Sequence, residues 1–268
     1  MPLARSDSTW PAAVATTADD TPRVRTITLG DLRDVLGRGV ADFRAMPRHV
    51  LFLGLIYAVV CLMLVGFTFG RDLVPLVFPM IAGFALLGPF AAVGLYELSR
   101  RREQGADTSW WHMLAVFRSP SARPILTLGL VLLVAFLAWL MVAQAIYRAT
   151  FGEATFQSGP FFEQLFTTGH GWTLVVVGNL VGGLFALAAF AATVVSFPML
   201  VDRRVPVAAA VGTSFRAVLA NPVPMLAWGA IVVAALVVGS LPFFVGLAVV
   251  LPVLGHATWH LYKRLVEA

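Results

Sequence analysis

Two histidines near the C-terminus are the residues whose type and spacing best suit chemistry. His256 and His260 lie four positions apart, with Trp259 between them. On a helix, the two imidazoles share one face, about 6 Å apart along the axis. Such a pair can hold one metal ion, but one helix cannot present ligands to both faces of a haem. Because no third ligand from another helix is evident, we predict no metal site. His256, His260 and Trp259 stay candidate haem- or quinone-binding residues.

The same stretch also has a structural interpretation. Residues 259–264 include an indole, an imidazole, a phenol and two cations. These side chains are typical of the belt at which a transmembrane helix leaves the bilayer. A belt accounts for every residue of interest except His256, which lies one turn deeper. We therefore expect no cofactor, with haem as the alternative.

Glu97 is the one acidic residue at the end of an apolar segment. It lies about one helical turn before Arg100 and Arg101, a spacing at which side chains can pair. We interpret it as a structural ion pair, with a proton or cation site as the alternative, because charge in hydrocarbon costs several kcal/mol.

Two uncharged polar residues, Gln144 and Asn179, lie within apolar segments. Asn179 lies between Gly178 and Gly182, and glycines four apart allow another helix to approach closely. We expect Asn179 to form a hydrogen bond across such a contact, with a ligand contact as the alternative.

The composition indicates that membrane helices must position these residues. The chain of 268 residues is 59% hydrophobic and 12% charged, and its mean hydropathy is +0.85. Soluble domains carry about 25% charged residues. The net charge is +5, and the basic residues flank apolar segments. We therefore expect anionic lipid headgroups as partners and no nucleic acid.

Six segments are long and apolar enough to cross a bilayer as helices. They are approximately His49–Phe69, Leu73–Leu98, Pro124–Tyr147, Trp172–Val201, Pro224–Ser240 and Leu241–Tyr262. The last two are joined by a tight hairpin near 239–242. Prolines inside the second helix of each pair should kink those helices.

The basic residues predict the orientation of these segments. Of the 19 lysines and arginines, all but Arg71 and Arg148 lie before the first segment, in alternate loops or in the C-terminal tail. Since cytoplasmic loops carry an excess of Lys and Arg, we predict that both termini are cytoplasmic.

The segments form three similar units, approximately 28–104, 105–204 and 205–268. Each unit begins with an apolar stretch of helical period that ends in a Phe-Arg pair, at 43–44, 117–118 and 215–216. We predict a cytoplasmic interfacial helix there, followed by a transmembrane hairpin. Residues 1–27 are polar and are predicted to be a disordered cytoplasmic tail. The fold class is thus all-α, with six membrane helices.

Several short motifs resemble a known but uncharacterised family. They are Leu87-Gly88-Pro89, Gly94–Arg101, Phe197–Leu200, Asn221-Pro222 and Gly255–Tyr262. The chain from Thr28 to the C-terminus resembles the bacterial integral membrane proteins called domain of unknown function 2189. Some members carry a provisional label as cytochrome c oxidase subunits. The resemblance implies a bacterial inner-membrane protein and no established activity.

The oxidase label can be compared with the histidines. A haem–copper core needs several intramembrane histidines on different helices. Of five histidines in this chain, only His256 lies clearly within a predicted segment. The sequence therefore excludes the catalytic subunit and allows an accessory one.

The sequence favours a non-enzymatic role. It contains no phosphate loop, no Cys-x-x-Cys pair and no metalloprotease pattern. We predict an accessory or assembly subunit of a membrane complex, with a respiratory complex as one candidate. The alternatives are a transporter for an uncharged or lipophilic molecule and a haem- or quinone-binding redox protein.

Overall fold

The computed structural model of the chain describes residues 22–69, 74–152 and 158–267, and its regular structure there is helical. In chain order the α-helices are α1 (Leu29–Ala45), α2 (Pro47–Phe69), α3 (Val77–Leu86), α4 (Gly88–Ala91), α5 (Val93–Glu103), α6 (Trp111–Ala115), α7 (Ala122–Phe151), α8 (Ser158–Thr167), α9 (Gly169–Thr193), α10 (Ser196–Asp202), α11 (Val207–Ala220), α12 (Pro222–Ser240) and α13 (Leu247–Leu265). Short 3-10 helices lie at Val74–Leu76 and Val116–Arg118.

Three helices in the described ranges are long and apolar enough to cross a membrane. They are Ala122–Phe151, Gly169–Asp202 and Pro222–Ser240, which coincide with the predicted third, fourth and fifth segments. The prediction of an all-helical protein with membrane-length helices is thereby confirmed. The first, second and sixth predicted segments fall on α2, α3 to α5, and α13, and their crossing of the membrane stays a prediction.

The predicted second segment, Leu73–Leu98, is broken and not one helix. Turns at Leu87 and Ala92 separate α3, α4 and α5. The first turn precedes Pro89 by two residues, and a proline ring excludes the carbonyl of the preceding helical turn. The break at 194–195 in the Gly169–Asp202 helix lies three to four residues before Pro198, so the helix is interrupted ahead of a proline at both places.

The other two prolines behave differently. Pro79 lies in the first turn of α3, where a missing N–H removes no helical hydrogen bond. Pro252 lies inside α13, whose helical assignment is continuous from Leu247 to Leu265. The prediction of a kink is wrong at Pro79, because the helix begins beside it.

The last hairpin turns later than predicted. Residues 241–246 form the turn and α13 begins at Leu247. Phe243 and Phe244 have positive φ angles of 49° and 63°. A Cβ on Gly246 would lie 2.7 Å from the Gly239 carbonyl oxygen, so the turn brings the two backbones into direct contact. Only a glycine permits that approach.

The C-terminal helix α13 lies at the centre of the packing. It packs against α1, α2, α5 and α12, and Trp259, Tyr262 and His256 are fully buried on it. Gly39 lets α1 approach closely, since a Cβ there would lie 2.7 Å from the Ala257 Cβ and 2.8 Å from the Val253 carbonyl oxygen. The core is therefore built around the helix that the sequence places last.

The two ends of the described chain meet. Val24 and Val266 form an isolated antiparallel bridge, and the Arg25 amide donates to the Leu265 carbonyl at 2.8 Å. Backbone pairing thus includes residues 23–25 of the predicted disordered tail, 1–27, and the disorder of the tail stays a prediction. Residues 1–21 of that tail lie outside the described residues.

A buried asparagine reinforces this contact. Asn221 accepts a hydrogen bond from the Ile27 amide at 2.7 Å and donates to the Arg25 carbonyl at 3.0 Å. The N-terminal segment, residues 25–27, is thereby attached to the junction of α11 and α12.

Short helices precede three of the long ones, as the sequence predicts. α1 leads directly into α2, α6 with its 3-10 turn precedes α7, and α11 precedes α12. Their placement in a headgroup layer stays a prediction. The aromatic segment after α7 contains α8, and Phe161 packs there against Tyr147 and Phe151.

Candidate functional site

A buried carboxylate, Asp42, organises the polar core at the basic end of the molecule. Its Oδ2 atom accepts hydrogen bonds from the Ser99 hydroxyl at 2.6 Å and from His260 Nε2 at 2.9 Å. Its Oδ1 atom pairs with the Arg102 guanidinium. With His256, which contacts Ser99, these residues form what we call the Asp42 cluster: Asp42, Ser99, Arg102, His256 and His260.

Three helices separated in sequence bring the cluster together. α1 carries Asp42 on the buried face that also holds Leu32 and Val35. α5 supplies Ser99 and Arg102, and α13 supplies the two histidines, one turn apart. The close approach of α1 to α13 at Gly39 places Asp42 within hydrogen-bond reach of His260.

The hydrogen bonds assign the proton on His256. Ser99 donates its only proton to Asp42, so it must accept from His256 Nδ1, which lies 2.7 Å away. The proton of the neutral imidazole is then on Nδ1, and Nε2 is left as a bare acceptor. This Nε2 atom is buried and has no hydrogen-bond partner among the described residues.

His260 is held between two acids. Its Nε2 contacts Asp42, and its Nδ1 lies 3.4 Å from Glu103 Oε1. Both ring nitrogens therefore face carboxylates. His260 ties α13 to α1 on one side and to α5 on the other.

The pKa of Asp42 reflects competing effects. Burial by itself raises the pKa of this carboxyl, since it disfavours the charged form. Hydrogen bonds from His260 and Ser99, together with the nearby imidazoles, more than offset burial and hold the pKa below its ordinary value of 3.8. The cluster is therefore built around an ionised carboxylate.

The belt interpretation of residues 259–264 is wrong for the aromatic and imidazole side chains. Trp259, His260 and Tyr262 are buried in the core and do not face a headgroup layer. The reason is that α13 is surrounded by other helices. Lys263 is exposed and keeps the position expected of a belt residue.

Trp259 has its own unusual feature. Its Nε1 atom is buried without a hydrogen-bond partner among the described residues, and its ring packs against Tyr262. The described residues contain no group of three or more His, Cys, Asp and Glu side chains placed to hold a metal ion. The haem or quinone role of His256, His260 and Trp259 stays a prediction.

The predicted pairing of Glu97 is confirmed. Its carboxylate accepts from Arg100 Nε at 2.8 Å and Nη2 at 2.9 Å, and from Arg101 Nε at 2.7 Å. Glu97 itself is buried. The hydrogen bond to Glu97 raises the pKa of Arg100 above its ordinary value, against the lowering effect of burial.

Asn179 does not bond across a helix contact, contrary to the prediction. It is exposed, and its Nδ2 donates to the Val175 carbonyl of its own helix at 2.8 Å. In apolar surroundings, the nearest acceptor for the asparagine amide is the backbone carbonyl one turn earlier on the same helix. Gly182 does make a close contact, since a Cβ there would lie 2.8 Å from the Trp139 ring. Gln144 is half-buried.

Sequence reasoning missed the centre of the cluster. It identified the two histidines but not Asp42, which lies on the buried face with Leu32, Val35 and Gly39. The spacing of three, four and three between these residues was the available signal. Nothing local identified Ser99 or Arg102, because their partners lie on other helices.

Comparison with known proteins gives one family. Residues 77–202 match the model of the family described as Predicted integral membrane protein (DUF2189). This is the family that the sequence motifs resemble, so the resemblance is confirmed over this range. No curated protein and no solved structure matches the chain. The family description names no activity and does not support the oxidase label.

Proposed function

We propose that this integral membrane protein is a non-enzymatic accessory or assembly subunit of a complex in a bacterial inner membrane, with both termini cytoplasmic. One observation carries the proposal. Asn179 exposes an amide on a membrane-length apolar helix, and its only hydrogen bond in the described structure is to its own helix. A partner helix would meet it there.

The surface around Asn179 has the pattern of a helix interface. Val176, Leu180, Leu184 and Leu187 are exposed large apolar residues of α9, and with Asn179 and Gly183 they recur every three or four positions. We call these six residues the α9 seam. Such spacing forms one continuous stripe along a helix.

Gly183 gives this surface room for a second backbone. A Cβ built on Gly183 meets nothing within 4 Å. Small residues allow transmembrane helices to approach closely, and an interhelical hydrogen bond from an asparagine contributes about 0.6–2 kcal/mol. We therefore infer that the occupant is a transmembrane helix of another protein, with a hydrogen-bonding side chain facing Asn179.

The polar core supports a structural role over a catalytic one. Ser99 and His260 both form hydrogen bonds to Asp42, and Glu97 is held by two arginines. These contacts connect helices and leave no nucleophile free beside a base. These buried polar interactions thus stabilise the fold.

Affinity purification in a mild detergent tests the proposal. We compare the natural chain with Asn179→Leu and a matched control, Thr127→Val. Thr127 is also exposed on a membrane-length helix, and its hydroxyl donates to a carbonyl of its own helix, Arg123, at 3.0 Å. We expect one protein in constant ratio with the natural chain and with Thr127→Val, and its loss from Asn179→Leu. Recovery of the chain alone, or equal recovery of the same protein with Asn179→Leu, contradicts the proposal.

One observation favours a second candidate, a haem- or quinone-binding protein. Ser99 holds His256 at Nδ1 and leaves Nε2 bare and buried, which is how a second partner orients a ligating histidine. An optical spectrum of the purified protein with a Soret band, lost in His256→Ala and kept in His170→Ala, would establish haem binding. A spectrum without a Soret band would exclude haem binding by the purified protein. No observation in the described ranges favours the transporter alternative.

A further inference from the structure

A cavity of about 260 Å³ opens at the basic end of the molecule, between the end of α5, the segment 115–121 and the end of α10. Arg100, Arg101, Arg203 and Arg204 line it, and we call it the arginine cavity. We propose that it binds a phosphate group, supplied by an anionic phospholipid headgroup or by free phosphate. Such a site goes beyond the proposed role in a membrane complex.

The charge of the lining favours an anion. Four arginines face two acids, Glu97 and Asp202, and both acids already have partners. Glu97 binds Arg100 and Arg101. Asp202 accepts from the Tyr262 hydroxyl at 2.7 Å and lies 3.3 Å from Lys263 Nζ. The acids therefore hold the walls in place while the lining stays net positive.

Specific donors remain for a ligand. Arg100 uses Nε and Nη2 on Glu97, which leaves its Nη1 available. Arg204 is exposed, and no ion pair of it occurs among the described residues. Ser121, which carries a hydroxyl, also lines the cavity. Guanidinium and hydroxyl groups are donors that recognise phosphate oxygens, the guanidinium often in bidentate fashion.

Exposed aromatic side chains lie close in sequence to the residues that line the cavity. Trp111 precedes the segment 115–121 and Phe117 lies within it, and both are exposed large apolar side chains. Exposed tryptophans are typical of headgroup depth in membrane proteins, and basic pockets between helices at that depth bind anionic headgroups. A phospholipid could thus place its phosphate among the arginines while its chains stay in the bilayer.

Binding measurements on the full chain in nonionic detergent test the proposal. Native mass spectrometry follows retention of phosphatidylglycerol against phosphatidylcholine, and calorimetry follows titration with inorganic phosphate. The test variants are Arg204→Gln and Ser121→Ala. The control is Arg38→Gln, which removes the same charge from an exposed position on α1 outside the cavity.

We expect the natural chain and Arg38→Gln to bind a phosphate ligand equally, and Arg204→Gln to bind it about tenfold more weakly.

Retention of phosphatidylglycerol without binding of inorganic phosphate identifies the lipid as the source of the phosphate group. Binding of inorganic phosphate without retention of the lipid identifies free phosphate, and both results support the site. Binding of neither ligand overturns the proposal. Equal losses in Arg204→Gln and Arg38→Gln overturn it too, as does equal retention of phosphatidylcholine. Ser121→Ala, which keeps every charge, should weaken binding less than Arg204→Gln, and the melting temperature of each variant confirms that it is folded.

Discussion

Asp42 connects three helices through one buried carboxylate. Replacing it by asparagine removes the negative charge that Arg102 and His260 face, while the side-chain shape stays nearly the same. Buried hydrogen bonds to charged groups contribute more than neutral ones, so we expect Asp42→Asn to lower the free energy of unfolding by about 2–4 kcal/mol. Thermal unfolding in detergent, followed by tryptophan fluorescence, measures this.

Asp34→Asn is the matched control on the same helix. Asp34 has a side chain that is 63% exposed, and it pairs with Arg264 at 3.4 Å. Exposed pairs contribute 0–1 kcal/mol, so this variant should unfold near the natural midpoint. Equal destabilisation by the two substitutions would show that Asp42 has no special role.

The pH dependence follows from the lowered pKa of Asp42. Since the folded pKa lies below the ordinary value of 3.8, the carboxylate contributes its full stability above that value. This contribution is lost as the pH falls through the lower, folded value. The natural chain should therefore lose stability on acidification below about pH 3.8, and Asp42→Asn should lose less over the same window. Unfolding midpoints of both proteins between about pH 2 and pH 6 give the comparison. Parallel curves would contradict a stabilising role of the ionised Asp42 carboxylate.

At the residue scale, local pairs could be predicted and distant ones could not. The Glu97 pairing follows from spacing along one helix. The bond between Asp42 and His260 joins residues 218 positions apart, and no periodicity links them. The sequence therefore identified His256 and His260 as unusual but assigned them to the wrong surroundings.

At the scale of the helices, the close crossing of α1 and α13 depends on one glycine, Gly39. A Cβ at Gly39 would lie 2.7 Å from the Ala257 Cβ and 2.8 Å from a backbone carbonyl, so Gly39→Ala must push the helices apart. We expect a loss of about 1–3 kcal/mol, typical of overpacking. Gly37→Ala is the control on the same helix, since its Cβ meets nothing within 4 Å. It should gain up to about 1 kcal/mol from helix propensity. In chemical or thermal unfolding, Gly37→Ala should be the most stable, the natural chain intermediate and Gly39→Ala the least stable. A Gly39→Ala variant as stable as the natural chain would contradict the close crossing.

Helix positions were more predictable than helix continuity. Apolar length located α7, α9 and α12, because a span must bury about 20 residues whatever its neighbours are. The breaks at Leu87 and at 194–195 follow from prolines, but the intact path of α13 through Pro252 does not. Whether a proline breaks a helix depends on whether neighbouring helices and side chains can form hydrogen bonds with the backbone groups that the proline frees.

At the scale of the whole molecule, the positions of the basic residues predicted which helix ends lie together. Arg102 meets Asp42, Lys263 meets Asp202 and Arg264 meets Asp31, so the basic ends of α5 and α13 lie with α1 and α10. The central place of α13 could not be predicted. In a membrane protein, lipid-facing and core-facing surfaces are equally apolar, and periodicity does not separate them.

The six-segment topology gives a further prediction for the whole molecule. Cys61 is the only cysteine and is buried, so Cys61→Ala provides a background free of thiols. On it, Phe243→Cys, at an exposed turn, should react with a membrane-impermeant maleimide added to right-side-out vesicles. Gln104→Cys should react only after lysis, because both termini and the loop after α5 are predicted to be cytoplasmic. Labelling of both sites in intact vesicles, or the reverse pattern, would contradict this topology.

Site-specific photo-crosslinking from the α9 seam tests for a partner helix at this surface. A photoreactive residue in place of Leu180, a large exposed side chain next to Asn179, is compared in living cells with one at Val237, an exposed position on α12. We expect one discrete protein adduct from position 180, its loss when Asn179→Leu is added, and no such adduct from position 237. Lipid adducts alone from both positions, or a protein adduct unaffected by Asn179→Leu, would contradict a partner helix at this surface.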